Sequence, residues 1–248
     1  MAVAIAGMSN WNQGIHDGLL ICMLSYINIQ SRVIRKIHAL LLNVLVRSKH
    51  KWPRSLYWNL RAREIHKKWG DNTEDYQVLR MVIERVKPKR LLDFGCGSGR
   101  CFPLYLEMNI PEVIGQEISS KGIEICRKRF PGLLYTLKCC DVNKCGFEEN
   151  YFDIIISTRV LSAILPENIS QTVKVLCRVG EAIYLNEITD SDYSGPSNYL
   201  FKHDYDTLMS KNNFSIDKMG TITVVENGKK HLQTWKLYKR VSLCQKYL

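Results

Sequence analysis

The chain reads as an α/β protein with an open, mostly parallel sheet and helices on both faces. Three observations predict this. Lys89–Arg100 (KRLLDFGCGSGR) joins a short apolar strand, an acid, three glycines at alternate positions and the start of a helix. Beyond it, apolar strand segments alternate with segments of helical period, the pattern of βα units. Finally, Tyr151–Ser157 is almost continuously apolar, as expected of a strand buried on both faces of a parallel sheet.

The glycine segment carries the first functional information. Gly95, Gly97 and Gly99 allow a sharp strand-to-helix turn and leave main-chain N–H groups open to a ligand. The following helix start adds donors and a positive dipole end. The dinucleotide fingerprint G-x-G-x-x-G/A puts a small residue where this chain has Arg100, and the third glycine comes one position early. Asp93, just ahead of the loop, would repel a pyrophosphate and suits a ligand with a cationic amine.

The pattern D-x-G-x-G-x-G, complete at Asp93–Gly99, resembles motif I of the class I S-adenosylmethionine-dependent methyltransferases. The resemblance covers roughly residues 75 to 240. It implies a Rossmann-like sheet of seven strands in the order 3-2-1-4-5-7-6, with a C-terminal antiparallel hairpin. It implies S-adenosylmethionine as cofactor, held by Asp93, Gly95, Cys96, Gly97 and Gly99. Glu117 ends the second strand, Pro111–Glu117, about 20 residues beyond the loop, where such folds bind ribose hydroxyls; Ile118 follows it. Asp141, flanked by Cys140 and Val142 after the third strand, is placed to meet the adenine. Ser157 and Thr158, at the end of the fourth strand, face the methionine end of the cofactor or the acceptor.

The remaining elements follow in order. A helix is expected from Ser119 to about Arg129, another over Asn168–Cys177, and a fifth strand over Gly180–Glu187. Ser191–Tyr199 is a Ser/Gly/Pro/Asn/Tyr-rich loop suited to a substrate lid. A helix over His203–Asn212 precedes strands near Ser215–Val224 and Leu232–Tyr238, separated by the hairpin signal Asn227-Gly228. Upstream, Trp58–Trp69 reads as a helix with aromatic ends, and Asp71–Tyr76 caps the helix carrying Val78, Leu79, Val82, Ile83 and Val86. Residues 1–74 are expected to form a basic, amphipathic helical extension, and 75–248 the catalytic domain.

Charge and cysteine content bound the partners. The net charge is +11, yet residues 1–90 hold 16 Lys/Arg against 6 Asp/Glu, and residues 91–248 hold 19 against 18. The basic excess therefore precedes the glycine loop. Val33, Ile37, Leu40, Leu41, Val44 and Leu45 fall at helical spacing, followed by the basic stretch Arg47–Arg54. This region suits a membrane interface, packing on the domain or a second subunit, or phosphate contact with nucleic acid. Its apolar runs are too short to span a bilayer and lack signal-peptide features. Nine cysteines without Cys-x-x-Cys or Cys/His ligand spacing indicate neither a metal site nor a disulfide scaffold, and fit a reducing cytoplasm.

For the chemistry, His203 is the expected general base, with Asp204 beside it. Arg159 is a candidate for a substrate anion or the site rim. Tyr76 and Tyr193 are further acceptor-site candidates, as are Trp58, His66 and Trp69. The segment Ser157–Val160 lacks the Asn/Asp-Pro-Pro-Tyr pattern of base-methylating enzymes. The expected acceptor is a small-molecule or lipid-linked metabolite methylated on oxygen or nitrogen. The alternatives are an RNA substrate or a catalytically silent interaction module.

Overall fold

The computed structural model describes residues 54–70, 73–132, 136–187, 200–226 and 229–241. The expectations for residues 1–53, for the 191–199 loop and for the Asn227-Gly228 turn lie outside them. Helix α1 (Arg54–Trp69) and helix α2 (Tyr76–Val86) precede strand β1 (Arg90–Phe94). Then come α3 (Phe102–Glu107), β2 (Glu112–Glu117), α4 (Ser120–Arg129), β3 (Thr136–Cys139), β4 (Ile154–Thr158), α5 (Pro166–Val179), β5 (Ala182–Glu187), α6 (Tyr205–Ser210), β6 (Phe214–Glu226) and β7 (Lys229–Arg240).

The seven strands form one sheet in the order β3-β2-β1-β4-β5-β7-β6. The first five are parallel, and β7 runs antiparallel to both β5 and β6. This is the Rossmann-like sheet and terminal hairpin anticipated from the glycine loop. Strand residues alternate between two cores. On one face Leu92, Phe94, Ile155, Ile183 and Leu185 pack with the apolar side of α5 and with Tyr205 and Met209 of α6. On the other, Leu91, Ile154, Ile156, Ala182 and Tyr184 pack with Leu79, Val82 and Ile83 of α2 and with Phe102 and Tyr105 of α3. A parallel sheet covered on both faces requires this doubled apolar content in β1, β4 and β5.

Local signals set the ends of the helices. The Ser119 hydroxyl accepts from Gly122 N (2.9 Å) and caps α4. Helix α5 starts on Pro166, whose missing N–H costs nothing at a first-turn position. Lys87 takes the left-handed conformation at the end of α2 (φ 52°), and its N–H closes on Ile83 O.

Helix α1 falls in the same compact unit as the sheet. Its polar side chains make the connections. Asn59 Oδ1 accepts from Ser119 Oγ (2.8 Å) and Lys121 N (3.1 Å), so it crowns the start of α4. Its Arg54 guanidinium donates to the Ala163 carbonyl, beyond β4. Helix α1 thus reaches over the carboxyl edge of the sheet.

A buried ion pair joins α2 to that edge. Asp75, fully buried, accepts from Arg100 at 2.6 and 3.0 Å and from Asn186 Nδ2 at 3.1 Å. Burial pushes its carboxyl upward, but the Arg100 charge and hydrogen bonds prevail and hold it below the ordinary 3.8. Its stabilising contribution is therefore complete above the unfolded value and is lost as pH falls through the lower folded one. Removing one partner of such a pair strands the other charge. Asp75→Ala should lower unfolding stability by about 3–5 kcal/mol, measured by denaturant titration near neutral pH. A loss within the range of a surface substitution would show that Arg100 finds solvent.

Candidate cofactor and methyl-transfer site

The site forms where the carboxyl ends of the strands meet the glycine loop. Gly95 and Gly97 adopt φ values of 69° and 55°, a region that side chains disfavour. A Cβ on Gly95 would strike Val160 at 2.6 Å, so this glycine also lets the segment after β4 approach closely. At Gly97 a Cβ would meet nothing within 4 Å, so space lies open above the loop there. Gly99 instead packs down, facing Cys126 and Phe130.

Glu117 stands beside that open space. Its Oε2 accepts from Gly97 N (3.0 Å) and its Oε1 from Ser119 N (2.7 Å), tying the glycine loop to the β2–α4 turn. Burial raises its pKa, and the Ser119, Gly97 and Ile118 amides oppose the shift. Asp93 is also buried. Desolvation pushes its carboxyl up to about 7, with the Arg100 charge only partly offsetting this. A carboxyl poised in this way gains from a nearby cation.

Further connections complete the cofactor side. Gln116, overlooked in the sequence, is almost fully buried and donates Nε2 to the Cys140 carbonyl. Its Oε1 accepts from Gly95 N at 3.4 Å. It therefore sets the distance between the loop and the segment after β3. There Asp141 caps a 3-10 turn, Val142–Lys144, by accepting from Asn143 N at 2.9 Å. The turn brings the Cys140 and Cys145 Cα atoms to 5.8 Å, and the two sulfurs form a disulfide. A bridge here corrects the expectation drawn from cysteine spacing, which cannot register a turn. Cys139 next to it is free and exposed.

The other side of the site lies at β4 and β5. Glu187 is fully buried and gathers five donors: Ser157 Oγ, Val160 N, Leu161 N, Ser162 N and Ser162 Oγ, at 2.9–3.1 Å. Burial raises its pKa against these hydrogen bonds. The Ser157 hydroxyl is consequently turned into the structure toward Glu187, not toward the methionine end of a cofactor. Thr158 and Asn186 are register partners on adjacent strands. Thr158 Oγ1, Asn186 Oδ1 and the Tyr184 hydroxyl are buried there without a protein partner. Because Asn186 gives its amide N–H to Asp75, its oxygen is left to receive a donor.

Other expected residues have more definite engagements. Arg159 sits in the left-handed region (φ 59°), with its N–H on Asn186 O (2.9 Å) and its guanidinium 3.3 Å from Gln233 Oε1. The Tyr76 hydroxyl donates to the Arg100 carbonyl, so it props the glycine loop rather than an acceptor pocket. His66 Nδ1 lies 3.1 Å from Ser98 Oγ, on the same loop. His203 Nε2 lies 3.0 Å from the Ile164 carbonyl, and burial lowers its pKa. Exposed Asp204 caps α6 through Thr207 N (3.1 Å), a structural engagement that leaves His203 as the base candidate. Tyr193 lies outside the described residues. Among the described residues no group of His, Cys, Asp and Glu has metal-binding geometry.

Comparison with known proteins agrees with this geometry. Residues 92–182 match the family model described as a methyltransferase domain. A Haemophilus influenzae protein described as uncharacterized is 32% identical over 110 residues; the match spans 42% of this chain and 42% of that protein's length. Three solved structures share the fold. A S-adenosylmethionine-dependent methyltransferase from Methanosarcina mazei is 20% identical, with TM-score 0.52, covering 61% of this chain and 92% of its own. Magnesium protoporphyrin IX methyltransferase from Synechocystis PCC 6803 is 16% identical, with TM-score 0.53, covering 81% and 90%. A putative RNA methyltransferase from Pyrococcus horikoshii is 12% identical, with TM-score 0.52, covering 67% and 84%. The chain thus matches a methyltransferase domain over residues 92–182 and shares its fold with S-adenosylmethionine-dependent methyltransferases.

Proposed function

We propose that the protein transfers a methyl group from S-adenosylmethionine to an oxygen or nitrogen of a small or amphiphilic metabolite. The observation that carries the donor half is the open space at Gly97 beside Glu117, in the loop that follows the buried Asp93. In this reading Glu117 accepts from the ribose hydroxyls, Asp141 and its neighbours border the adenine, and Asp93 supplies the counter-charge for the ammonium. The neighbouring protoporphyrin enzyme, named for a small-molecule acceptor and bound to S-adenosylmethionine in its own structure, supports the same assignment.

Held by Glu117, Asp141 and Asp93, S-adenosylmethionine would supply an activated methyl group for in-line displacement by an acceptor lone pair. The protein's task is alignment. Glu187 fixes the segment after β4, α1 covers the edge, and Asn186 and Thr158 offer hydrogen bonds to the acceptor. His203 takes the acceptor proton. Burial lowers its pKa and favours the neutral ring that a base needs, against the pull of the Ile164 and Leu161 carbonyls.

Calorimetry should detect S-adenosylmethionine binding in the micromolar range, and Gly97→Ala should abolish it by filling the open space and straining the turn. A silent titration of the intact protein would end the reading. Affinity should rise from about pH 6 to about pH 8 as Asp93 ionises, by up to roughly tenfold per unit below its titration point. Asp93→Asn should bind weakly and flatten that dependence; an unchanged pH profile in the variant would remove Asp93 from ammonium recognition. His203→Ala should lower turnover by about 10²-fold or more with cofactor affinity unchanged. Labelled methyl groups offered to metabolite, lipid and RNA pools identify the acceptor, and label found only in RNA would contradict the small-acceptor assignment.

A further inference from the structure

Helices α1 and α4 run side by side in the same direction. Asn59 of α1 meets Ser119 and Lys121 at the start of α4, while His66 of α1 and Arg129 at the end of α4 both reach Ser98. Their last turns therefore lie together beside the glycine loop. Those turns carry His66, Lys67 and Lys68 on α1 and Arg127, Lys128 and Arg129 on α4. The two helices hold nine Lys/Arg against two Glu. Arg63, Lys67, Lys68, Arg127 and Lys128 are exposed.

The two acids offset two of these nine positive charges. Glu64 pairs with Arg61 at 3.1 Å. Glu124 is bracketed by Lys121 and Lys128, whose hydrogen bonds pull its carboxyl down to about 2. A single cation in a last turn would complement a helix dipole. Five lysines and arginines in two adjoining turns make an anion-binding surface.

What kind of anion is decided by the adjoining sequence. Just upstream of α1 come Val33, Ile37, Leu40, Leu41, Val44 and Leu45 at helical spacing, then Arg47, Lys49 and Lys51. Nucleic acid would use the cations but gains nothing from that apolar series. A lipid surface uses both, since stable peripheral attachment takes an apolar contact and a polybasic patch together. Among the described residues no helix is long and apolar enough to cross a membrane, so attachment through them would be to its surface.

We infer that the α1–α4 ridge docks this protein on an anionic membrane surface, beside the mouth of its cofactor site. The inference stands apart from the identity of the methyl acceptor. Sedimentation of the full chain with vesicles tests it directly. Phosphatidylcholine–phosphatidylglycerol vesicles should retain the protein, phosphatidylcholine vesicles should not, and added salt should release it. Arg63→Gln/Lys67→Gln/Lys68→Gln should reduce partition on the order of a hundredfold, near fivefold per charge, and Arg127→Gln/Lys128→Gln by about twentyfold on the same basis. These exposed positions should leave the melting temperature unchanged, which separates lost docking from lost folding. Equal partition onto both vesicle types, or partition indifferent to all five substitutions, would overturn the ridge as a docking surface. Tighter retention by a single-stranded RNA oligonucleotide at the same ionic strength would overturn the membrane in favour of nucleic acid.

Discussion

The contact on which the carboxyl edge depends is the buried pair between Asp75 and Arg100. Three separate pieces of chain converge on one carboxylate: the start of α2, the residue following the glycine loop, and Asn186 at the end of β5. An isolated charge in that position would cost several kcal/mol. Pairing removes most of that cost only if both oxygens are satisfied, and here they are. The requirement works in both directions. Arg100 cannot leave without stranding Asp75, so the turn of the glycine loop is held from outside as well as by its own hydrogen bonds.

The same logic of satisfied carboxylates continues along the edge. Glu117 accepts from amides of the loop and of the β2–α4 turn, and Glu187 accepts five donors from the end of β4 and beyond. Each acid ends its strand and organises the backbone of a neighbouring connection, so the loops around the site are fixed by groups on the sheet. Against this background the unpartnered atoms stand out. Thr158 Oγ1, Asn186 Oδ1 and the Tyr184 hydroxyl are buried on β4 and β5 without a protein hydrogen bond, as are the Tyr105 and Tyr205 hydroxyls on α3 and α6.

What the sequence revealed, and what it concealed, divides by range. The glycine loop, Glu117, the hairpin and the apolar strands are local patterns, and each falls where its pattern places it. Asp75, Gln116 and Glu187 have ordinary sequence neighbourhoods; their importance lies in partners 21 to 111 residues away. Ser157 shows the converse. Its position at the end of β4 was legible, but the direction of its hydroxyl depends on a carboxylate 30 residues later. The Cys140–Cys145 bridge was hidden for a related reason, because spacing says nothing of the tight turn that brings the two thiols together.

Charge gives the clearest case of topology altering a reading of composition. Counted along the chain, the basic excess belongs to the first 90 residues, and the remainder is almost neutral. Folding redistributes it. Helix α4 belongs to the near-neutral part, yet it lies alongside α1, and its Arg127, Lys128 and Arg129 join the cations of the preceding region. The acids that balance α4 in the count are largely turned elsewhere: Asp93, Glu117 and Glu187 are buried, and Asp206 and Asp217 pair with lysines and arginines of the α2 and hairpin surface. A nearly neutral sequence segment therefore contributes a positive face. Because that face borders the glycine loop through Ser98, whatever anion it meets is brought to the side of the molecule where the cofactor site opens.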